Sequence, residues 1–410
     1  MRPEPGTGVH RLEGENMNHV LRCSGYKVVK TDMVRGRDCY LYDVHDKRYV
    51  DFEAGVWCAG LGHSHQRVNQ AIRSQIEQII HLSYRYTNDL VEQAAVEVLN
   101  TIALSDGKTI FLSSGSEAVE FGVQIARRIT GQPLLLTLSD SYLAAYGSAG
   151  RRSPEEWYGF DWSVCVACPH SDECDPQCSH LRQIPFESIG GLVFEPGNTS
   201  GLVKLPPKQL VHTLERMVKQ QHGLVVVDEV TTGLGRTGAW YGFQHYALQP
   251  DIVALGKGLG NGYPVSAVVM THDVADRLEN SAFRYAQSHQ NDPLGCAIAR
   301  EVVRVIREDG LVDRSNSVGT HFLHELGRLG ERHDRVKEVR GRGLMIAMEF
   351  EEDAEHFSLT SAYRELVERG FLVGFKPEAN LLRFYPPLTI GEKDIAQLLE
   401  NLDHVLEVLS

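Results

Sequence analysis

Apolar positions along the 410-residue chain follow two periods. Val68, Ile72, Ile76 and Ile80 recur every four residues and predict a helix over Gln66–His81. Similar spacing predicts helices over Asp89–Thr101, Ser116–Ile129, Pro207–Gln220 and Pro293–Glu308. Between them lie short, largely apolar runs: Leu134–Leu138, Gly191–Phe194, Leu224–Val227, Asp251–Leu255 and Ser266–Met270. Strands with no polar face are buried on both sides, so an α/β fold follows, with a mainly parallel sheet covered by helices. Near residue 310 the pattern changes. Helices over His321–Arg332, Thr360–Arg369 and Glu392–Leu409, with strands over Gly343–Glu349 and Leu381–Phe384, read as a smaller α+β domain. The expected division is 1–60 as an arm and strands packing with the small domain, 61–305 as the large domain and 306–410 as the small one. Arg151–His180 reads as long and irregular, a sign of function or of a family-specific insertion.

Charge and composition narrow the function classes. With 41 Lys+Arg against 54 Asp+Glu the formal net charge is −13, which argues against a nucleic-acid footprint. No apolar run reaches the roughly 18–20 residues of a membrane span, and the polar segment Met1–Gly6 lacks the apolar stretch of a signal peptide. Eight cysteines are too few for a disulfide scaffold, so a reducing, cytoplasmic setting is expected.

Four segments at or near strand ends could carry chemistry, where open α/β sheets bind their ligands. Ser113-Ser114-Gly115-Ser116-Glu117 opens a helix, and its small residues let backbone N–H groups reach an anion. Glu117 equally suits a plain cap. Asp228-Glu229 follows an apolar strand and could hold a protonated ring nitrogen or a metal, or cap a turn. Lys257 stands between Gly256 and Gly258, which suits an amine approached closely by a carbonyl compound, a solvated loop lysine being the plainer alternative. Arg383 lies inside an apolar strand and suits bidentate carboxylate recognition, or else pairs with an acidic neighbour.

These segments together match one cofactor, pyridoxal phosphate, and the chain resembles the class III (subgroup II) aminotransferases of the fold-type I pyridoxal-phosphate enzymes. The resemblance rests on Asp228-Glu229-Val230-Thr231-Thr232-Gly233-Leu234-Gly235-Arg236-Thr237-Gly238, then Pro250-Asp251-Ile252 and Lys257-Gly258-Leu259-Gly260-Asn261-Gly262-Tyr263-Pro264. Gly60-Leu61-Gly62-His63-Ser64-His65 and Gly341-Arg342-Gly343-Leu344 also agree. It implies a large domain on a seven-stranded sheet and a homodimer or tetramer with sites at the subunit interface. The implied substrates are an amine or amino acid and a 2-oxo acid. It further implies that Lys257 holds the cofactor as a Schiff base and moves the substrate Cα proton, while Asp228 keeps the ring nitrogen protonated. Gly115 and Ser116 would bind the phosphate, Val230 would pack on the ring, and Thr231 would bond the ring oxygen. Glu195 matches a Glu-Pro strand end near the site, Ser288 would reach the neighbouring subunit's phosphate, and Arg383 and Trp57 would meet the substrate.

The chain departs from that family at Thr231, where many members have Gln. No second arginine stands where the γ-aminobutyrate and ornithine enzymes grip a distal carboxylate, which argues against a dicarboxylate-specific pocket. Two further stretches also differ. Ser141-Tyr142-Leu143-Ala144 replaces the aromatic-His-Gly triplet, leaving Tyr142 to stack on the ring with Tyr146 as competitor. Ser288-His289-Gln290-Asn291-Asp292-Pro293 is closer to the dialkylglycine decarboxylase branch, so decarboxylation-dependent transamination, racemisation or an amino shift stays open as an alternative. No metal is assigned. Cys165, Cys168, Cys174 and Cys178 fall within fourteen residues, and reduced structural thiols, a metal or cluster, and disulfides are the three readings, in that order.

Overall fold

The structure, a computed structural model, describes residues 21, 28–166, 168, 174, 175, 177–197, 201–351 and 357–409. Its largest sheet has seven strands. Their order is Lys108–Leu112, Ser266–Met270, Ile252–Leu255, Leu224–Asp228, Ile189–Phe194, Leu134–Leu138 and Trp157–Phe160. Only Ser266–Met270 runs antiparallel to its neighbours; every other pair is parallel. Side chains alternate between two apolar cores, one on each face. Val226, Ala254 and Val193 pack under the helix Gly115–Thr130, whereas Val225, Val227 and Val253 join the opposite core with Leu210, Leu214 and Val302. This two-sided burial explains why the strands carry no polar face.

Two smaller sheets flank it. Met33–Arg37, Tyr40–Asp43 and Arg48–Asp51 are extended in parallel by Phe371–Leu372. Val336–Arg342, Met345–Phe350, Leu381–Phe384 and Gly374–Lys376 form an antiparallel sheet.

Several elements differ from the expectation. The helix predicted to His81 ends at Ile76, although the apolar spacing continues. Gln75 folds its side-chain amide onto the Ile79 carbonyl at 2.7 Å, and Ile76, Ile79 and Ile80 remain 47%, 36% and 53% exposed. The helix predicted to start at His321 begins at Leu311 and runs to Gly330. Its first half is rich in Ser, Asn and Gly and reads as a loop. Those small residues serve packing instead: a Cβ on Gly319 would come within 2.2 Å of the Gly343 backbone. The segment expected to be irregular contains the edge strand Trp157–Phe160. Gly343, expected to start a strand, forms the hairpin turn before Met345 with φ of 53°.

Candidate functional site

Lys257 follows the strand Ile252–Leu255 and holds a left-handed backbone, φ 42°, a strained conformation for a non-glycine residue. Its amine donates to Thr231 Oγ1 at 2.5 Å and lies 4.6 Å from the centre of the Trp57 ring. Burial lowers the Lys257 pKa, while Asp228, Cys58 and Glu195 pull it back up. Asp228 ends the neighbouring strand, is buried, and accepts from the Val230 N–H at 2.9 Å. Burial raises its carboxyl above the usual range against that hydrogen bond and the Lys257 charge. A buried acid so weakly compensated is suited to a nearby cationic ring nitrogen.

The residue beside it has another task. Glu229 accepts from Thr232 Oγ1, Gly242 N and Phe243 N at 2.7–2.8 Å and so closes the loop that follows the strand. Burial pushes its carboxyl up to about 7, against those three donors. Arg236 is also buried and bonds the carbonyls of Pro386 and Leu344. Asn261 bonds Leu61 N and Gly62 O. Much of the family-matching stretch therefore ties loops together, and sequence reasoning had no means of separating these residues from the chemical ones.

The helix Gly115–Thr130 is capped by Ser114, whose side chain accepts from Glu117 N, and Glu117 in turn accepts from Ser113 N at 2.9 Å. The capping reading of Glu117 holds, and it leaves the first-turn N–H groups of Gly115 and Ser116 without helical partners. A Cβ on Gly115 would lie 2.5 Å from Val230 Cγ1, and one on Gly256 would lie 3.1 Å from Gly115 Cα. Gly115, Val230 and Gly256 thus interlock between the helix start and the lysine strand. Gly258 has only ordinary contacts and does not share this role.

The Arg383 guanidinium also lies near Trp57, 5.1 Å from its ring centre, and the Trp57 ring contacts the Tyr385 ring at 4.7 Å. Arg383 is buried, its Nε has no partner, and its nearest acid is Glu53 at 3.6 Å. Trp57 Nε1 and Tyr385 OH are likewise buried and unpartnered. Such orphaned donors fit a bound anion. Glu53 and Tyr385 were not singled out by sequence. Tyr385 had a signal in its place two residues past Arg383, whereas Glu53 had none. Residues 54–57 all have φ between 47° and 69°, an unusual left-handed stretch that carries Trp57.

Not every expected residue joins this cluster. Tyr142 is half exposed; its backbone N–H donates to the buried Glu195 at 2.9 Å, so Glu195 holds the tyrosine loop. Ser116 Oγ accepts from Ala145 N. Ser288 is exposed on the segment whose Tyr285 and Gln287 reach Glu117, and among the described residues no hydrogen bond links it to Lys257. The seven described cysteines are free. Cys165, Cys168, Cys174 and Cys178 line one cavity of about 210 Å³ with His180 and Asp175, while His170 lies outside the described residues. Burial pushes the Cys165 thiol up to about 11, with the other three thiols adding to the effect. Among the described residues, three ligand atoms come within 4.8 Å of one another only at His81, His289 and Asp292.

A largely desolvated amine next to a buried acid, with a glycine cradle at a helix start, meets the needs of a carbonyl cofactor that carries a ring nitrogen and a phosphate, which defines a pyridoxal-phosphate enzyme. The chain belongs to the class-III aminotransferases, whose family description matches residues 23–143 and 163–406. It is 28% identical over 398 residues to an acetylornithine aminotransferase of Aquifex aeolicus, covering 93% of this chain and 99% of that protein. A leucine/methionine racemase of Thermococcus litoralis is 29% identical over 407 residues, covering 91% and 90%. A Bacillus anthracis aminotransferase structure superposes with a TM-score of 0.86 at 22% identity, covering 95% and 96%. The protein has the fold-type I architecture and is a pyridoxal-phosphate-dependent aminotransferase, exchanging amino groups between an amine or amino acid and a 2-oxo acid. No helix among the described residues is long and apolar enough to cross a membrane.

Proposed function

We propose that the amino donor carries a carboxylate held by Arg383, and that Lys257 is both the covalent anchor of the cofactor and the base that moves the proton at the substrate Cα. The convergence of Lys257 and Arg383 on the Trp57 ring carries this reading. Pyridoxal phosphate, when bound, supplies the electron sink that makes the Cα proton removable. Asp228 would keep the ring nitrogen cationic, the N–H groups of Gly115 and Ser116 would take the phosphate, and Val230 would pack against the ring. Thr231, whose hydroxyl accepts from the Lys257 amine, would hydrogen-bond the ring oxygen of the bound cofactor. Trp57 shields the lysine from water and stacks with Tyr385. A substrate carboxylate displaces Glu53 from Arg383 and occupies its vacant donor.

The reading includes a small domain over 306–410, a cofactor domain over 61–305, and an arm with strands over 1–60. It also includes a homodimer or tetramer in which Ser288 serves the neighbouring subunit's phosphate. The uncovered Ile76, Ile79, Ile80, Tyr84 and Tyr86 support such an assembly, because runs of exposed apolar residues mark interfaces. The seven cysteines among the described residues are all free, which suits the cytoplasm.

The test is the visible absorbance of the holoenzyme. Bleaching by a carboxylate-bearing amino donor, with recovery on adding a 2-oxo acid, is the expected result. The racemase relative gives a second reading, in which an amino acid racemises without an oxo acid and the band persists. An active Lys257→Ala protein would overturn both.

A further inference from the structure

We propose that Cys165, Cys168, Cys174 and Cys178 form a four-thiolate site for one divalent, thiophilic metal ion of the zinc type. The site is independent of the cofactor cluster and shares no residue with it. Three observations carry the inference. The spacing Cys-x2-Cys followed by Cys-x3-Cys supplies four soft ligands from one loop, the complement of a closed structural zinc site. Although the pairs are close in sequence, all four thiols are free, and all four face the same cavity of about 210 Å³ between the loop and the start of the helix Lys208–Gln220. The loop backbone is also pinned beside each ligand. Cys168 N donates to Cys165 O at 3.3 Å, Cys178 N to Asp175 O at 3.0 Å, and Thr213 Oγ1 to Cys174 O at 3.5 Å. The anchor behind it is Trp162, buried and bonded to Asp140 at 2.9 Å.

No three of these sulfurs lie within 4.8 Å of one another, whereas a tetrahedral zinc needs sulfur edges of about 3.8 Å. The cage is therefore open, and the ion would draw it closed. Binding forms four metal–sulfur bonds, releases four protons to solvent, and transfers no electron. The closed site would staple the connection between the strands Trp157–Phe160 and Ile189–Phe194.

The experiment uses the reduced, metal-stripped holoenzyme and adds cobalt(II), then zinc(II). The expected result is one equivalent of cobalt with a sulfur-to-cobalt charge-transfer band and tetrahedral bands in the red, displaced by zinc. All four thiols should also lose their reactivity towards iodoacetamide. Cys165→Ser and Cys174→Ser should each lose the charge-transfer band while keeping the cofactor absorbance. Cobalt bound without that band, as histidine and carboxylate ligands at His81, His289 and Asp292 would give, overturns the proposal. So does unchanged alkylation in the presence of zinc, a measurement on the wild-type chain that does not depend on any variant folding.

Discussion

The cofactor cluster and the cysteine loop are both collections of reactive side chains on the same sheet, yet they are organised in opposite ways. Lys257 and Asp228 are placed by adjacent strand ends in the middle of the sheet, and Gly115, Val230 and Gly256 interlock around them. The cysteine loop hangs between the edge strand Trp157–Phe160 and its neighbour-but-one, and its four half-buried sulfurs surround a space they do not fill. The first region is preorganised, its strain and desolvation borne by the fold. The second is organised by what it binds. A site that must stabilise a transition state gains from the first arrangement, whereas a structural metal supplies its own ordering energy and tolerates the second.

The largest expected effect belongs to the preorganised region. Lys257→Ala removes both anchor and base and should lower turnover by about 10⁴-fold or more, measured as single-turnover bleaching, with cobalt uptake by the thiols intact. Loss of both signals together would break the separation between the regions. Asp228→Asn should retain cofactor in the absorbance spectrum but lose about 10²–10³-fold in kcat. Arg383→Lys loses the planar fork and should raise KM for carboxylate donors by about 10–100-fold, with amines lacking a carboxylate little changed; an equal loss for both would remove Arg383 from substrate binding.

Effects in the loop should be smaller and of a different kind. Cys165→Ser should leave kcat within about twofold and abolish the thermal stabilisation that zinc confers on the wild type, read as a melting shift at fixed zinc. The smallest effect concerns pH. The Glu229 carboxyl lies at about 7 in the fold against a reference of 4.5, so the folded state holds a proton the unfolded chain gives up. Its contribution is full below about 4.5 and is lost as pH rises to about 7. Thermal unfolding across that window should therefore slope less in Glu229→Gln than in wild type.

Adjacent residues show how far reading alone reached. Asp228 and Glu229 are indistinguishable as a pair at a strand end; only the fold turns one towards Lys257 and the other onto the N–H groups of Gly242 and Phe243. Gly256 and Gly258 flank the lysine symmetrically in sequence, but only Gly256 is pressed against Gly115. Glu53 reaches Arg383 across more than three hundred residues, a pairing that no local pattern encodes.

Local period and composition determined the buried strands, their covering helices, the capped helix start at Ser114 and the presence of a glycine-flanked lysine, because each depends on side chains a few residues apart. Tertiary structure alone decided which acids bear charge near the amine, where Gly319 must pass Gly343, and that the four cysteines face one cavity. Those outcomes depend on contacts between distant segments, whose geometry and desolvation exist only once the chain has packed.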